Sequence, residues 1–116
     1  MSLQAFFEAV GGNLAEVMER LPNEALILRF LKMYSQDTSY GDLVKAFNEG
    51  NVKNAFLAAH TLKGVAANLG LGELQKAASA LTESVRNSDH FGDPMLFEEV
   101  KVAQNKVIEQ LSSLDN

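Results

Sequence analysis

The stretch from Asn51 to Leu69 constrains the fold of this chain most. Val52, Ala55, Ala59, Leu62, Ala66 and Leu69 follow one another at alternating steps of three and four. That spacing draws one continuous apolar seam along an α-helix, which is stable only when other helices cover it. Asn51 can cap its start, and Gly70 suits a left-handed residue at its end.

The rest of the chain reads in the same way. Glycine and proline fall almost entirely between periodic segments, where they punctuate rather than interrupt. The segment from Leu3 to Leu21 breaks at Gly11-Gly12 and predicts two short helices joined by a turn. Pro22 can open the next helix, since a first-turn proline loses no needed donor. Leu26, Ile27, Phe30, Leu31 and Tyr34 then recur at helical spacing. Ser39, with Asp42 three residues on, resembles a capping box before a helix from Tyr40 to Glu49. Leu74, Ala77, Ala78, Leu81 and Val85 mark a further helix, ending near Arg86. After a polar loop from Asn87 to Gly92, Asp93-Pro94 is a start signal. Leu96, Val100, Ala103, Val107, Leu111 and Leu114 carry the last seam.

No segment alternates with a strand period, and no internal repeat or low-complexity tract interrupts the series. The expected fold is all-α: an antiparallel four-helix bundle with short additional N-terminal helices. At 116 residues the chain suits a single domain over 1–116, with the short helices in 1–21 and the bundle in 22–114.

Composition removes several function classes. Ten Lys+Arg against fifteen Asp+Glu give a net charge of −5, which argues against nucleic acid as a partner and against anionic lipid surfaces. The absence of cysteine removes thiolate zinc sites and cysteine nucleophiles. His60 and His90 are the only histidines, too few for a multi-histidine metal centre. Neither has a glutamate three residues before it, as di-iron bundles require. Glu16, Glu19, Glu98 and Glu99 read as solvated helix faces. His90 beside Asp89 lacks a strand-turn-helix elbow that would present a serine, and Asp37 to Gly41 departs from a calcium loop, with Asn48 at the terminal glutamate position. No apolar run nears the ~20 residues of a membrane span, and Met1-Ser2-Leu3-Gln4-Ala5 lacks the basic start of a signal peptide. A cytoplasmic protein is expected. No long apolar seam is left uncovered, so a monomer is expected too.

One helix face is not explained by core packing. At ~100° per residue, His60 lies roughly 130° from the centre of the Asn51–Leu69 seam and should face solvent. Around it come Phe56, Leu57, Lys63, Gly64 and Ala67, where a merely solvated face would carry more charge. A glycine inside a helix costs about 1 kcal/mol relative to alanine. Gly64 stands at i+4 from His60, on the same stripe, and leaves the imidazole open to another molecule. Close packing of a neighbouring helix would explain that glycine equally well. Lys63, at i+3, is within reach of anything carried on the ring, although a lone lysine is most often ordinary surface. Imidazole is itself a nucleophile near neutral pH, and a phosphoryl group on it would bring about two negative charges for a lysine to offset.

Ala59-His60-Thr61-Leu62-Lys63-Gly64, followed by Ala66-Ala67-Asn68-Leu69-Gly70, resembles the motif of histidine-containing phosphotransfer (Hpt) domains. Gly11-Gly12-Asn13, Leu31-Lys32-Met33-Tyr34 and the segment from Leu74 to Arg86 resemble the family's other segments, so the likeness spans nearly the whole chain. The resemblance implies a four-helix bundle that accepts a phosphoryl group on His60 and passes it on, with no ATP-binding or kinase region of its own. The implied partners are receiver domains of response regulators or hybrid histidine kinases, which supply the aspartate and the Mg²⁺ site; the Hpt domain itself binds no cofactor. Lys63 would hold phosphoryl oxygens and Gly64 would give clearance. Thr82 and Arg86 match positions that assist in some members, and Phe56, Leu57, Ala67 and Asn68 would form the docking patch. Val65 departs from the small polar residue that many members carry after the motif glycine. The alternative is a degenerate member, a helical interaction module in which His60 carries no phosphoryl group.

Overall fold

A computed structural model describes residues 1–114. Those residues form seven helices and no strand: α1 (Leu3–Ala9), α2 (Leu14–Arg20), α3 (Glu24–Tyr34), α4 (Ser39–Asn48), α5 (Val52–Leu69), α6 (Gly72–Val85) and α7 (Pro94–Leu114). The break at Gly11-Gly12, the Asn51 cap, the Gly70 terminus and the start at Asp93-Pro94 all appear where the residue pattern puts them. The Asn51 side chain accepts from the Asn54 N–H at 3.0 Å, and Gly70 has φ +70°. The Asp93 carboxylate accepts from the Met95 N–H at 2.9 Å.

Helices α4 to α7 pack in sequence, each against the next, with α5 at the centre between α4 and α6. Their short connections force neighbouring helices to run antiparallel. Ala55, Ala58, Ala59 and Ala66 flank Leu62 on the buried face of α5, and such small residues let neighbouring axes approach closely. Leu43 and Ala46 of α4, Leu74, Ala78, Leu81 and Val85 of α6, and Val100 and Val107 of α7 complete that core. Phe47 of α4 stacks on Phe97 of α7 at 4.3 Å between centroids and meets Phe91 of the α6–α7 loop at 4.8 Å, so aromatic rings close the bundle where α4 faces α7. Helix α1 packs on α7, and α3 on α5.

The paired glycines do more than turn the chain. A Cβ on Gly12 would overlap the carbonyl oxygen of Gly70, and one on Gly72 that of Gly11. The α1–α2 and α5–α6 turns therefore meet backbone to backbone, and the Glu73 N–H donates to the Val10 carbonyl at 3.0 Å across the contact.

Two helix starts differ from expectation. Pro22 lies outside α3, and Asn23 caps it by accepting from the Leu26 N–H at 3.2 Å; a side-chain acceptor outweighs a proline's fixed φ. Ser39 is no cap either. It is the first residue of α4 and is buried, and its N–H donates to the Asp37 carboxylate at 2.8 Å. In α7, Leu96 and Leu111 are only half-buried, while Gln104 joins the core. It does so because its side-chain oxygen accepts from the buried Tyr34 hydroxyl of α3, which satisfies both polar groups away from water.

Candidate functional site

The middle of α5 carries the candidate site. Asn51 and Gly70 fix the two ends of the helix, and the alanine-rich face fixes its rotation, so His60 points to solvent. Its imidazole stacks on Phe56, one turn earlier, with centroids 6.0 Å apart and planes inclined by 10°. Phe56 is half-buried, whereas Leu57 leaves 52% of its surface in water. The Thr61 hydroxyl donates to the Leu57 carbonyl at 3.0 Å and so is turned back along its own helix.

Gly64 faces open space. A Cβ built there meets nothing within 4 Å, so close packing of a neighbouring helix does not account for this glycine. Lys63 is half-buried beside it, Ala67 continues the low surface, and Asn68 is exposed.

Helix α6 contributes the second wall. The Arg86 guanidinium lies 5.0 Å from the centroid of the Phe56 ring, a cation–π distance. Its Nε donates to the Glu83 carboxylate at 2.7 Å. Glu83 is a component that the residue pattern left unnoticed. Its carboxyl is held below the usual carboxylate range, first by the hydrogen bond from Arg86 and then by the Arg86 charge, with Lys63 and His60 adding to the effect. The i,i+3 spacing to Arg86 was readable from sequence; that this pair turns toward α5 was not.

Thr82 lies elsewhere on α6. It is fully buried, and its hydroxyl donates to the Ala78 carbonyl at 2.6 Å. It therefore faces the bundle core and not the exposed face that carries His60. Arg86, its companion in the expectation, does reach that face.

Val65 is half-buried and lines an apolar groove with Leu21, Phe30, Met33, Tyr34 and Leu69. Arg20 of α2 donates to the carbonyls of Ala67 at 3.1 Å and Asn68 at 3.3 Å. It thus ties α2 to the end of α5, another contact the residue pattern did not disclose.

His90 offers no relay. Asp89 at 3.0 Å and the Ser88 hydroxyl at 3.4 Å both approach the same Nδ1, whereas a catalytic triad needs the two on opposite ring nitrogens. Among the described residues, no group of three or more His, Cys, Asp or Glu could hold a metal ion, and no helix is long and apolar enough to cross a membrane.

The model of the Hpt domain family matches residues 2–114, which includes every helix and the whole face around His60. The chain belongs to the Hpt domain family. No curated protein and no solved structure matches it. Hpt domains are phosphocarrier modules of two-component signalling that lack a kinase catalytic region and interact with receiver domains. On this Hpt domain the outward imidazole, the neighbouring ammonium and the open space above Gly64 lie on one face of one helix. An arrangement so exposed suits reaction with a group that another macromolecule presents.

Proposed function

We propose that this Hpt domain carries a phosphoryl group on His60 and exchanges it with the aspartate of a response-regulator or hybrid-kinase receiver domain. The observation that carries the reading is the pairing of an exposed imidazole with empty space at Gly64, one turn further along the same stripe. A ring in that setting can be approached in line by a bulky acyl phosphate, and alignment of this kind is the main requirement of phosphoryl transfer.

The lone pair of Nε2, the ring nitrogen farther from the backbone, forms the N–P bond. The acyl P–O bond of the phosphoaspartate breaks, the aspartate carboxylate leaves, and the ring's Nδ1 proton exchanges with solvent. The reverse reaction returns the phosphoryl group. Lys63, at i+3, offsets part of its charge, and Arg86 stands by the Phe56 ring on which His60 stacks. Phe56, Leu57, Ala67 and Asn68 form the surface on which the receiver docks, and the Mg²⁺ belongs to the receiver's acidic site. In this role the domain acts as a cytoplasmic monomer, since the shared face must stay free for the partner.

The test is incubation with a phosphorylated receiver domain and Mg²⁺, with an acid-labile label sought on the parent and on His60→Gln. Label on the parent alone supports the reading. A folded parent that takes no label from competent donors points to an interaction module instead.

A further inference from the structure

Arg86 and Glu83 stand beside the acceptor as a pair, not as a lone cation. The guanidinium is 5.0 Å from the ring of Phe56, the same ring on which His60 stacks. Its Nε is engaged by Glu83 at 2.7 Å. Both partners are substantially exposed, 44% for Arg86 and 61% for Glu83, so this contact adds little to fold stability. Through Arg86 and the Phe56 ring, the Glu83 carboxylate thus stands on the His60 side of α6. A carboxylate there works against phosphoryl binding in two ways. It opposes the roughly two negative charges that arrive with the group, and it occupies the arginine that could offset them.

We propose that Glu83 is a positioning residue that sets the transfer equilibrium of His60: by tying up Arg86 and repelling the phosphoryl group, it makes the phosphorylated domain a readier donor to its receiver. This rests on the reading of His60 as the acceptor. The bonds made and broken are those of the transfer given above, with the N–P bond exchanged for the acyl P–O bond. Glu83 takes no part in them and shifts only their balance.

Glu83→Gln keeps the side chain's size and removes the charge that holds Arg86, so that the guanidinium is freed. The experiment mixes the phosphorylated receiver with the full chain until the label stops redistributing and reads the ratio of phosphohistidine to phosphoaspartate. The expected result is a rise of about three- to tenfold toward phosphohistidine in Glu83→Gln, shrinking as salt screens the charge. Arg86→Gln should then lower the ratio more in the Glu83→Gln background than in the parent, because Arg86 reaches the phosphoryl group only once Glu83 releases it. A merely structural pair would show neither the salt dependence nor this coupling. A labelled parent whose ratio is unchanged or lowered by Glu83→Gln overturns the inference while leaving the function of His60 intact. A parent that takes no label overturns both.

Discussion

The imidazole of His60 lies parallel to the phenyl ring of Phe56, their centroids 6.0 Å apart and their planes inclined by 10°. Phe56 is half-buried, with the Arg86 guanidinium beside it, and so gives the exposed ring a wall. Stacking of this kind limits the orientations that the imidazole samples. Phe56→Ala should slow transfer by about tenfold through lost alignment. Its cost in stability should be smaller than the about 3–5 kcal/mol of a fully buried phenylalanine. Rapid-quench kinetics and urea unfolding on the same sample separate the two effects.

Gly64 separates stability from clearance. Because a Cβ there meets nothing within 4 Å, Gly64→Ala should stabilise the helix by roughly 0.5–1 kcal/mol, seen as a higher Tm. Gly64→Gln should slow transfer while leaving the far-ultraviolet dichroism unchanged. Full-rate transfer by the glutamine variant would show that the open space is not needed.

Lys63→Ala should reduce the transfer rate, or shorten the life of the phosphorylated protein, by about two- to fivefold, the worth of one partly exposed charge. High salt should narrow the difference between variant and parent. An unchanged rate at low salt would make Lys63 ordinary surface.

Local residue patterns and contacts between helices shape this fold in different ways. The seam from Val52 to Leu69 carried both the length of α5 and the outward direction of His60, because helical periodicity is a local property. The same local logic located Gly70 and Asp93-Pro94. It failed at Pro22, where Asn23 offered a side-chain acceptor, and at Ser39, which the fold buries. Thr82 is buried on α6, a rotation set by packing between helices. Glu83 and Arg20 escaped notice because their importance lies in what they face across a helix interface, and packing between helices leaves no periodic trace in either segment. The Phe47–Phe97 stack is of the same kind.

The part played by Thr82 is testable. Thr82→Val keeps the shape and removes a hydroxyl that bonds only within α6. Transfer should be unchanged and stability altered by no more than about 0.5–1.5 kcal/mol. A marked loss of transfer with an intact fold would return Thr82 to the site.

Tyr34 predicts the alkaline limit of the fold. Burial pushes its phenol far above the ordinary value, and the Asp37 carboxylate adds to this, while the hydrogen bond with Gln104 pulls the other way. A group whose pKa is raised on folding contributes fully below its unfolded value, about 10 for tyrosine. The contribution is lost as pH rises from there toward the folded value. Urea midpoints should therefore fall above about pH 10. Tyr34→Phe should flatten that fall but not abolish it, because burial raises Tyr40 as well, with Glu98 assisting. The variant should also lose about 1–3 kcal/mol at neutral pH, since the buried Gln104 oxygen would be left without its donor. Equal alkaline slopes in parent and variant would contradict the assignment.

Label transfer from a phosphorylated receiver domain to the parent and to His60→Gln, with both shown to be folded, tests most directly whether His60 is the acceptor. Acid-labile label on the parent and none on the variant is the predicted result. Label that persists on His60→Gln would place the phosphoryl group on another residue and contradict the account.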